Sequence, residues 1–600
     1  MTVFSTSSSE DHSYHQNSSS SSTTKTYGGA FDNTGRPSTT QGAKNWCGKP
    51  LGGSSNRIAM WEHPTPHFYL DRLNLQCTPK LNPYTEADDP QISSLIVDAG
   101  LTYYPMEGAV EISEKVPQLQ VVIINTNTSQ AVTAGIVGVN TFGNQFQFPL
   151  TTLGNASTDS YQIICQAYSH DEFIAESSLS LKYLPDLSQK GMGEAVRINS
   201  ESGTLMVTND KGSLQTLIPF GFAVDYSKSY SPTEMTELIN SLQELNVNTV
   251  QLILARQGAN DISQLREFIR ALGKAGIWIQ YDLRNVYWNK ELVASHIEVA
   301  RRHPNVLLYH TAMEPDGLGT EVRGIHETSE SVKQHDPYHP VSLWKRYILT
   351  NPFVIGVDKR SPGDVTPSNS TYGSSTCDNC RGSFLDLVNR IRIFRNRRHA
   401  LRKDRTMQIW GVPQANSVQN GVNQVPTGEQ FLLMCTTYLI EGAVGLMTWN
   451  DKMNFSPDLK KAIQTIGASL PQIGRYLEIP QSFLPLPPVT SYPNDTFIAN
   501  IWLNQADQTI LVMVANLAPK QVSWEVNPPA FNFNSTTQLQ TSWLYVSEKS
   551  QHPQIGQKED HLSLKGRMNG YGFGAWIIQA KSTLDNTIEA VSPLNTWNTQ

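Results

Sequence analysis

The chain has 600 residues, of which 39% are hydrophobic and 16% charged, with a formal net charge of −7. That length exceeds one ordinary core and points to about three or four domains. No run of about 18 apolar residues occurs, so no membrane span is expected, and without a basic field nucleic acid is not an expected partner.

Residues 1–45 are rich in Ser, Thr, Asn and Gly and cannot bury enough apolar surface to fold, so a disordered tail is expected. They show neither a basic start nor an apolar h-region, and no signal peptide is visible. Residues 46–89 read as an N-terminal extension with little periodicity. There Cys47 and Cys77 bracket a Gly, Pro and Asn-rich stretch, where a disulfide would supply order that packing does not. Cys165 in YQIICQAY and Cys435 in FLLMCTTYL sit in apolar runs and read as buried free thiols.

From 90 to 200 the pattern turns to period two. LQVVIINTN, AVTAGIVGVNT, DSYQIICQAYS and ESSLSLKYL are short strands between Asn, Gly and Ser turns, which predicts an immunoglobulin-like β-sandwich. Residues 201–480 begin with a hairpin, ESGTLMVTNDKGSLQTLIPFG, and then alternate strands with helices. LIPFGFAVDY is the first strand, followed by a helix with Ser231 as N-cap, Pro232 at its first position and Glu234 three residues after the cap. NTVQLIL is the second strand, and its helix runs from Asp261 to a closing Gly276. IWIQYDL is the third, and the helix after it stops at Pro304. VLLYHTAMEPDGLG is a buried fourth strand that breaks at Glu314-Pro-Asp-Gly. A helix near Glu321 to His335, strands around Val341 to Trp344 and Phe353 to Asp358, and a helix from Ser383 to Arg398 follow. TMQIWGVPQA, GEQFLLMCTTYLIEG and AVGLMTWND complete eight strand–helix units, so a (β/α)8 barrel is predicted. Residues 481–582 return to alternation, as in TILVMVANL and GYGFGAWIIQA, and read as a C-terminal β-sandwich before a polar tail at 583–600.

In such a barrel the C-terminal strand ends carry the chemistry. Strand alternation turns His310, Ala312 and Glu314 one way and Thr311 and Met313 the other, unless a bulge intervenes. Glu314, Asp316 and Asp358 are the catalytic candidates, because glycoside hydrolysis needs one carboxylic acid for the leaving oxygen and a second carboxylate as nucleophile or water base. Asp282, Gln414 and Asp451 at other strand ends, with the aromatics Tyr226, Tyr281 and Trp449, are the expected sugar contacts, and Trp288, Trp344 and Trp410 are further rings near the rim. His310 reads as a hydrogen-bonded interior histidine. Cys377 and Cys380 form a CxxC in a Ser/Gly-rich loop. With no second CxxC, a local disulfide is expected rather than zinc, and neither metal nor organic cofactor is implied. Sequons at Asn17, Asn127, Asn155, Asn369, Asn454, Asn494 and Asn534 suit an extracellular or cell-wall glycoprotein, expected to act as a monomer on a polysaccharide or oligosaccharide.

RRHPNVLLYHTAMEPDG (301–317), CDNC (377–380), WGVPQA (410–415), PTGEQ (426–430) and GAVGLMTWN (442–450) resemble a largely fungal group related to the retaining (β/α)8-barrel glycoside hydrolases. The resemblance spans about 90–580 and implies Glu314 as acid/base. Two positions depart from it. Met313 stands where the wider clan has Asn, and Gln414 stands where the nucleophilic Glu would end the seventh strand. Two readings follow: a hydrolase or transglycosylase on a β-linked polysaccharide such as cell-wall glucan, or an inactive barrel that binds glycan, with a structural or adhesive wall protein as a further alternative.

Overall fold

A computed structural model describes residues 72–88, 93–102, 106, 108–113, 116–187, 193–209, 211–226, 230–255, 261–313, 322–344, 354–357, 384–415, 426–448, 453–478, 496–526, 539–548, 550, 553–558 and 561–580. The expectations for the two termini, for Cys47, Cys377 and Cys380, and for Glu314, Asp316, Asp358, Trp449 and Asp451 lie outside these residues.

The first sandwich starts earlier than the sequence reading placed it. Arg72–Pro79 pairs antiparallel with Ser93–Thr102, which also pairs with Asn144–Phe148. The facing sheet orders Glu172–Leu181, Tyr161–Ser169, Gln118–Asn125 and Gln130–Gly138. Leu73, Leu75 and Cys77 alternate inward from the first sheet and meet Leu119, Val121, Ile163 and Cys165 of the second. A disulfide joins Cys77 to Cys165 across this core, with Cα atoms 6.5 Å apart. The expected Cys47–Cys77 bridge is therefore corrected, as is the free thiol at Cys165. The Leu-Asn-Leu-Gln-Cys alternation at 73–77 already marks Cys77 as an inward strand residue. Cys435 is buried and free.

Eight parallel strands close into a barrel: β1 Phe220–Tyr226, β2 Thr249–Leu254, β3 Trp278–Asp282, β4 Val306–Met313, β5 Val341–Trp344, β6 Val354–Val357, β7 Gln408–Gly411 and β8 Leu446–Thr448. Closure comes from Phe220 to Phe222 pairing with Leu446 to Thr448. Gly221 is required there, since a Cβ at this position would run into the Thr249 carbonyl. The described helices are α1 Pro232–Glu244, α2 Ile262–Lys274, α3 Lys290–Ala300, α4 Val322–His335, α5 Leu385–Ala400, α6 Gly428–Ile440 and α7 Pro457–Leu477. Ser231 and Glu234 form a reciprocal capping box on α1, and Asp261 caps α2 through the Ser263 and Gln264 amides. Each such cap satisfies backbone donors that have no partner within the helix.

The 201–217 segment belongs to the barrel's floor rather than to its wall. Arg197–Asn199, Leu205–Thr208 and Leu214–Leu217 form a small sheet with Leu81–Asn82. Its Val196, Ile198, Leu205 and Val207 pack against Leu308, Trp410, Val412 and Met447, which makes one end of the lumen apolar. Arg405 locks the sandwich to this end by gripping Asp98 through Nε (2.5 Å) and Nη2 (2.9 Å) and the Ser200 carbonyl through Nη1 (3.0 Å).

The C-terminal sandwich has one sheet of Phe497–Asn504, Thr509–Asn516, Phe573–Ala580 and Leu539–Val546, and another of Val522–Val526, His561–Met568 and Gln554–Lys558. α6 is buried from Phe431 to Ile440 because it is clasped between barrel and sandwich. Trp502, Met513, Phe573 and Tyr545 of the sandwich join the barrel's outer core. Thr436 Oγ1 donates to Tyr545 Oη (3.2 Å), and Asn500 Nδ2 to the Ile440 carbonyl (3.1 Å).

Candidate active site at the barrel mouth

Alternation sorts the barrel side chains into two sets. On β1, β2 and β3 the residues Phe222, Val224, Tyr226, Val250, Leu252, Ile279 and Tyr281 join the layer between strands and helices. Gln251, Gln280 and Asp282 consequently face the lumen. There Gln251 Nε2 donates to Asp282 Oδ2 (2.9 Å), and Gln280 Nε2 lies 2.8 Å from Ser342 Oγ and 3.3 Å from His310 Nδ1. His310 Nδ1 is also 3.1 Å from Ser342 Oγ. The lumen therefore changes character along its axis, from an apolar floor to a hydrogen-bonded polar upper half. His310 is the bonded interior histidine that the sequence suggested.

Asp282 ends β3 with no exposed surface. Its Oδ1 accepts from the Arg284 backbone amide (2.9 Å) and its Oδ2 from Arg284 Nε (2.6 Å), with Arg284 Nη2 in ion-pair contact at 2.5 Å. With Gln251 added, both oxygens are occupied. The expected direct sugar contact at Asp282 is corrected: this carboxylate anchors the Arg284 guanidinium and the β3–α3 loop. Asn285 reinforces the loop by donating to the Leu254 carbonyl (2.7 Å). The loop then presents Trp288, a residue 56% exposed whose ring rests edge-on against Tyr287 at 5.3 Å. Of the described aromatics near the rim, Trp288 has the open face a sugar needs.

Tyr226 and Tyr281 are corrected as sugar contacts. Tyr226 stacks on Tyr230 (5.6 Å) and Phe268 (5.1 Å) behind the strands, and burial raises its phenol to about 12. Tyr281 is fully buried beside α3, its hydroxyl 2.9 Å from His296 Nδ1. Both stand one residue out of phase with the lumen-facing set. Trp410 lies in the floor. Gln414 forms an isolated bridge just past β7 and is fully buried.

β4 departs from simple alternation. Tyr309 and His310 pair with Val341 and Ser342, but the next pair is Met313 with Trp344, so one extra residue is accommodated between. Thr311 Oγ1 caps the Ser342 carbonyl (3.3 Å) there, and Ala312 joins the outer core while His310 faces the lumen. This is the bulge allowed for in the sequence reading, and it removes the expected shared face of His310 and Ala312. Gln251, Gln280 and Ser342 were not anticipated. Their signal is a polar residue at an inward position of the largely apolar runs TVQLIL, IWIQYDL and VSLW.

Among the described residues no group of three His, Cys, Asp or Glu is placed to hold a metal, and no helix is long and apolar enough to cross a membrane. No family model and no curated protein matches the chain. Solved structures similar to it include a family 5 glycoside hydrolase from Bacteroides vulgatus, at 10% identity over 65% of this chain and 95% of that one, with a TM-score of 0.39. A family 39 glycoside hydrolase from Bacteroides cellulosilyticus is 11% identical over 84% and 100%, with a TM-score of 0.35. An FMN-binding beta-glucuronidase from Faecalibacterium prausnitzii is 9% identical over 76% and 67%, with a TM-score of 0.31. At such scores the barrel assignment rests on the strand pairing described above.

Proposed function

We propose that this protein hydrolyses or transfers glycosidic bonds of a β-linked polysaccharide, cell-wall glucan being one candidate, with Glu314 as general acid/base. One observation carries the reading. β4 runs in a closed parallel barrel and ends at Met313, at the end of the barrel where such folds keep their chemistry, and in the sequence Glu314 follows Met313. Glu314 would protonate the leaving oxygen while a second carboxylate attacks the anomeric carbon or activates water. Asp316 and Asp358 are the proposed partners, with Asp451 as a third; Asp282, whose oxygens are bonded to Arg284 and Gln251, is not among them. Trp288 offers a stacking surface for a sugar face, and Trp449 is proposed as another. The Cys77–Cys165 bridge and the sequons support an extracellular or cell-wall location. An immunoglobulin-like type for the first sandwich and a monomeric state belong to the same proposal.

A barrel that binds glycan without cleaving it is the second reading. It is favoured by Gln414, an amide that cannot form a glycosyl ester where the nucleophile is expected. Hydrolysis of a panel of β-glucans by wild type and Glu314→Gln separates the two. The hydrolytic reading expects the variant to lose about 10²- to 10⁴-fold in rate while still binding. Equal background rates with retained binding would leave the silent barrel.

A further inference from the structure

A cavity of about 1290 Å³ lies far from the mouth, between the first sandwich and the opposite end of the barrel. One wall comes from the end of α4, the start of β5 and the turn after α5, and supplies Lys333, His339, Arg402 and Lys403. Lys182, just past the strand Glu172–Leu181, completes the set. Lys182, Lys333, Arg402 and Lys403 are basic side chains, and they crowd one another. Lys182 is held down to about 8 by burial and by the charge of Lys333, with Asp336 and Glu330 of the same helix region acting against the shift. Lys403 is lowered by burial, then by Arg402 and Lys333.

The compensation within the described residues is partial. Lys333 Nζ bonds Glu330 (2.7 Å), and Lys182 Nζ donates to the Pro337 carbonyl (3.1 Å), which neutralises nothing. For the Lys403 ammonium no carboxylate partner occurs among the described residues. His339 has a side chain 1% exposed, with Nδ1 on Asp336 Oδ2 (2.8 Å) and Nε2 without a partner among the described residues. Thr406 Oγ1, on the same wall, is buried and likewise unpartnered there. A like-charge cluster beside an unmade buried hydroxyl is costly unless an anion closes it.

The opposite wall is of another kind. The sandwich contributes Gln162, Ser177, Ser178 and Ser180, and Phe173 with 52% of its surface exposed; its acids Asp159 and Glu176 line the same wall. Hydroxyls, an amide and one open aromatic face suit a sugar ring, and the volume exceeds what a lone small ion needs. We propose that this groove is a second binding site, taking a saccharide that carries an oxyanion, a carboxylate or a phosphate, held by Lys182, Lys333 and Lys403. The proposal stands independently of any reaction at the barrel mouth.

The test is calorimetric titration of the full chain with a short oligogalacturonate, a phosphorylated oligosaccharide, inorganic phosphate and a neutral gluco-oligosaccharide. Wild type is expected to bind at least one of the two charged oligosaccharides, with affinity falling as salt rises. Lys333→Ala/Lys403→Ala is expected to weaken that binding about tenfold or more, as loss of charge-assisted hydrogen bonds implies, and to leave neutral-sugar binding unchanged. Lys403→Arg, which keeps the charge, is expected to retain it and so separates binding from folding. Whichever charged oligosaccharide binds identifies the oxyanion. Binding of inorganic phosphate alone would overturn the saccharide assignment, and charged-sugar binding indifferent to the double alanine change would overturn the site.

Discussion

At the scale of single residues, the mouth of the barrel separates groups that hold the site from groups that can touch a ligand. Asp282 is of the first kind. Replacing it by Ala strands the Arg284 guanidinium, whose side chain is 12% exposed, and we expect a stability loss of about 3–5 kcal/mol in denaturant unfolding. A loss under about 1 kcal/mol would mean that Asp282 does not anchor the loop. Trp288 is of the second kind. Trp288→Ala should leave the unfolding midpoint nearly unchanged and weaken oligosaccharide binding by about three- to tenfold, the range of one aromatic contact. Unaltered affinity would remove Trp288 from the site. One ends and the other follows the same strand in sequence, and only the fold tells anchor from contact, because exposure is a property of packing.

Elements show how local rules were met and where longer-range pairing overrode them. The caps on α1 and α2 are local chemistry and stand where Ser231, Glu234 and Asp261 promised them. Arg72–Pro79 went the other way. Its surroundings read as an irregular extension, yet eight residues found a partner strand and delivered Cys77 to the core. The bridge to Cys165 closes a sequence separation of 88 residues, so Cys77→Ala/Cys165→Ala should lower stability by about 2–4 kcal/mol. Thermal unfolding with and without reductant checks this: wild type should respond to reduction and the double variant should not. The β4 bulge is a third instance. Alternation alone put His310 and Ala312 together, and an extra residue set by pairing with β5 parted them.

For the whole molecule, acid stability follows from histidines buried between elements. Burial pushes His296 down to about 4, and burial aided by Arg270 and Arg266 does the same to His303, from an ordinary 6.5. Unfolded chains take up these protons below about 6.5 while the folded protein resists until about 4, so stability falls as pH drops across that window. The limit is about 3 kcal/mol per imidazole. His399 opposes this, since its bond to Asp404 raises its pKa, and its contribution is present at low pH and fades as pH rises. Unfolding midpoints of wild type and His296→Gln/His303→Gln between pH 7 and 4.5 should show a flatter profile for the variant. Parallel profiles would mean that other groups govern acid unfolding.

The sequence by itself determined a strand–helix barrel accompanied by sheet-rich segments and most of the barrel strands, because hydrophobic period and cap chemistry are written in neighbouring residues. It also carried the buried Cys435 and the interior role of His310. Tertiary structure decided the partner of Cys77, the outward burial of Tyr226 and Tyr281, the engagement of Asp282 by Arg284, and the polar lumen built by Gln251, Gln280 and Ser342. Each of these depends on which strand lies beside which, and in what register. A shift of one residue sends a side chain to the opposite face, and the contacts that fix the register come from residues distant along the chain.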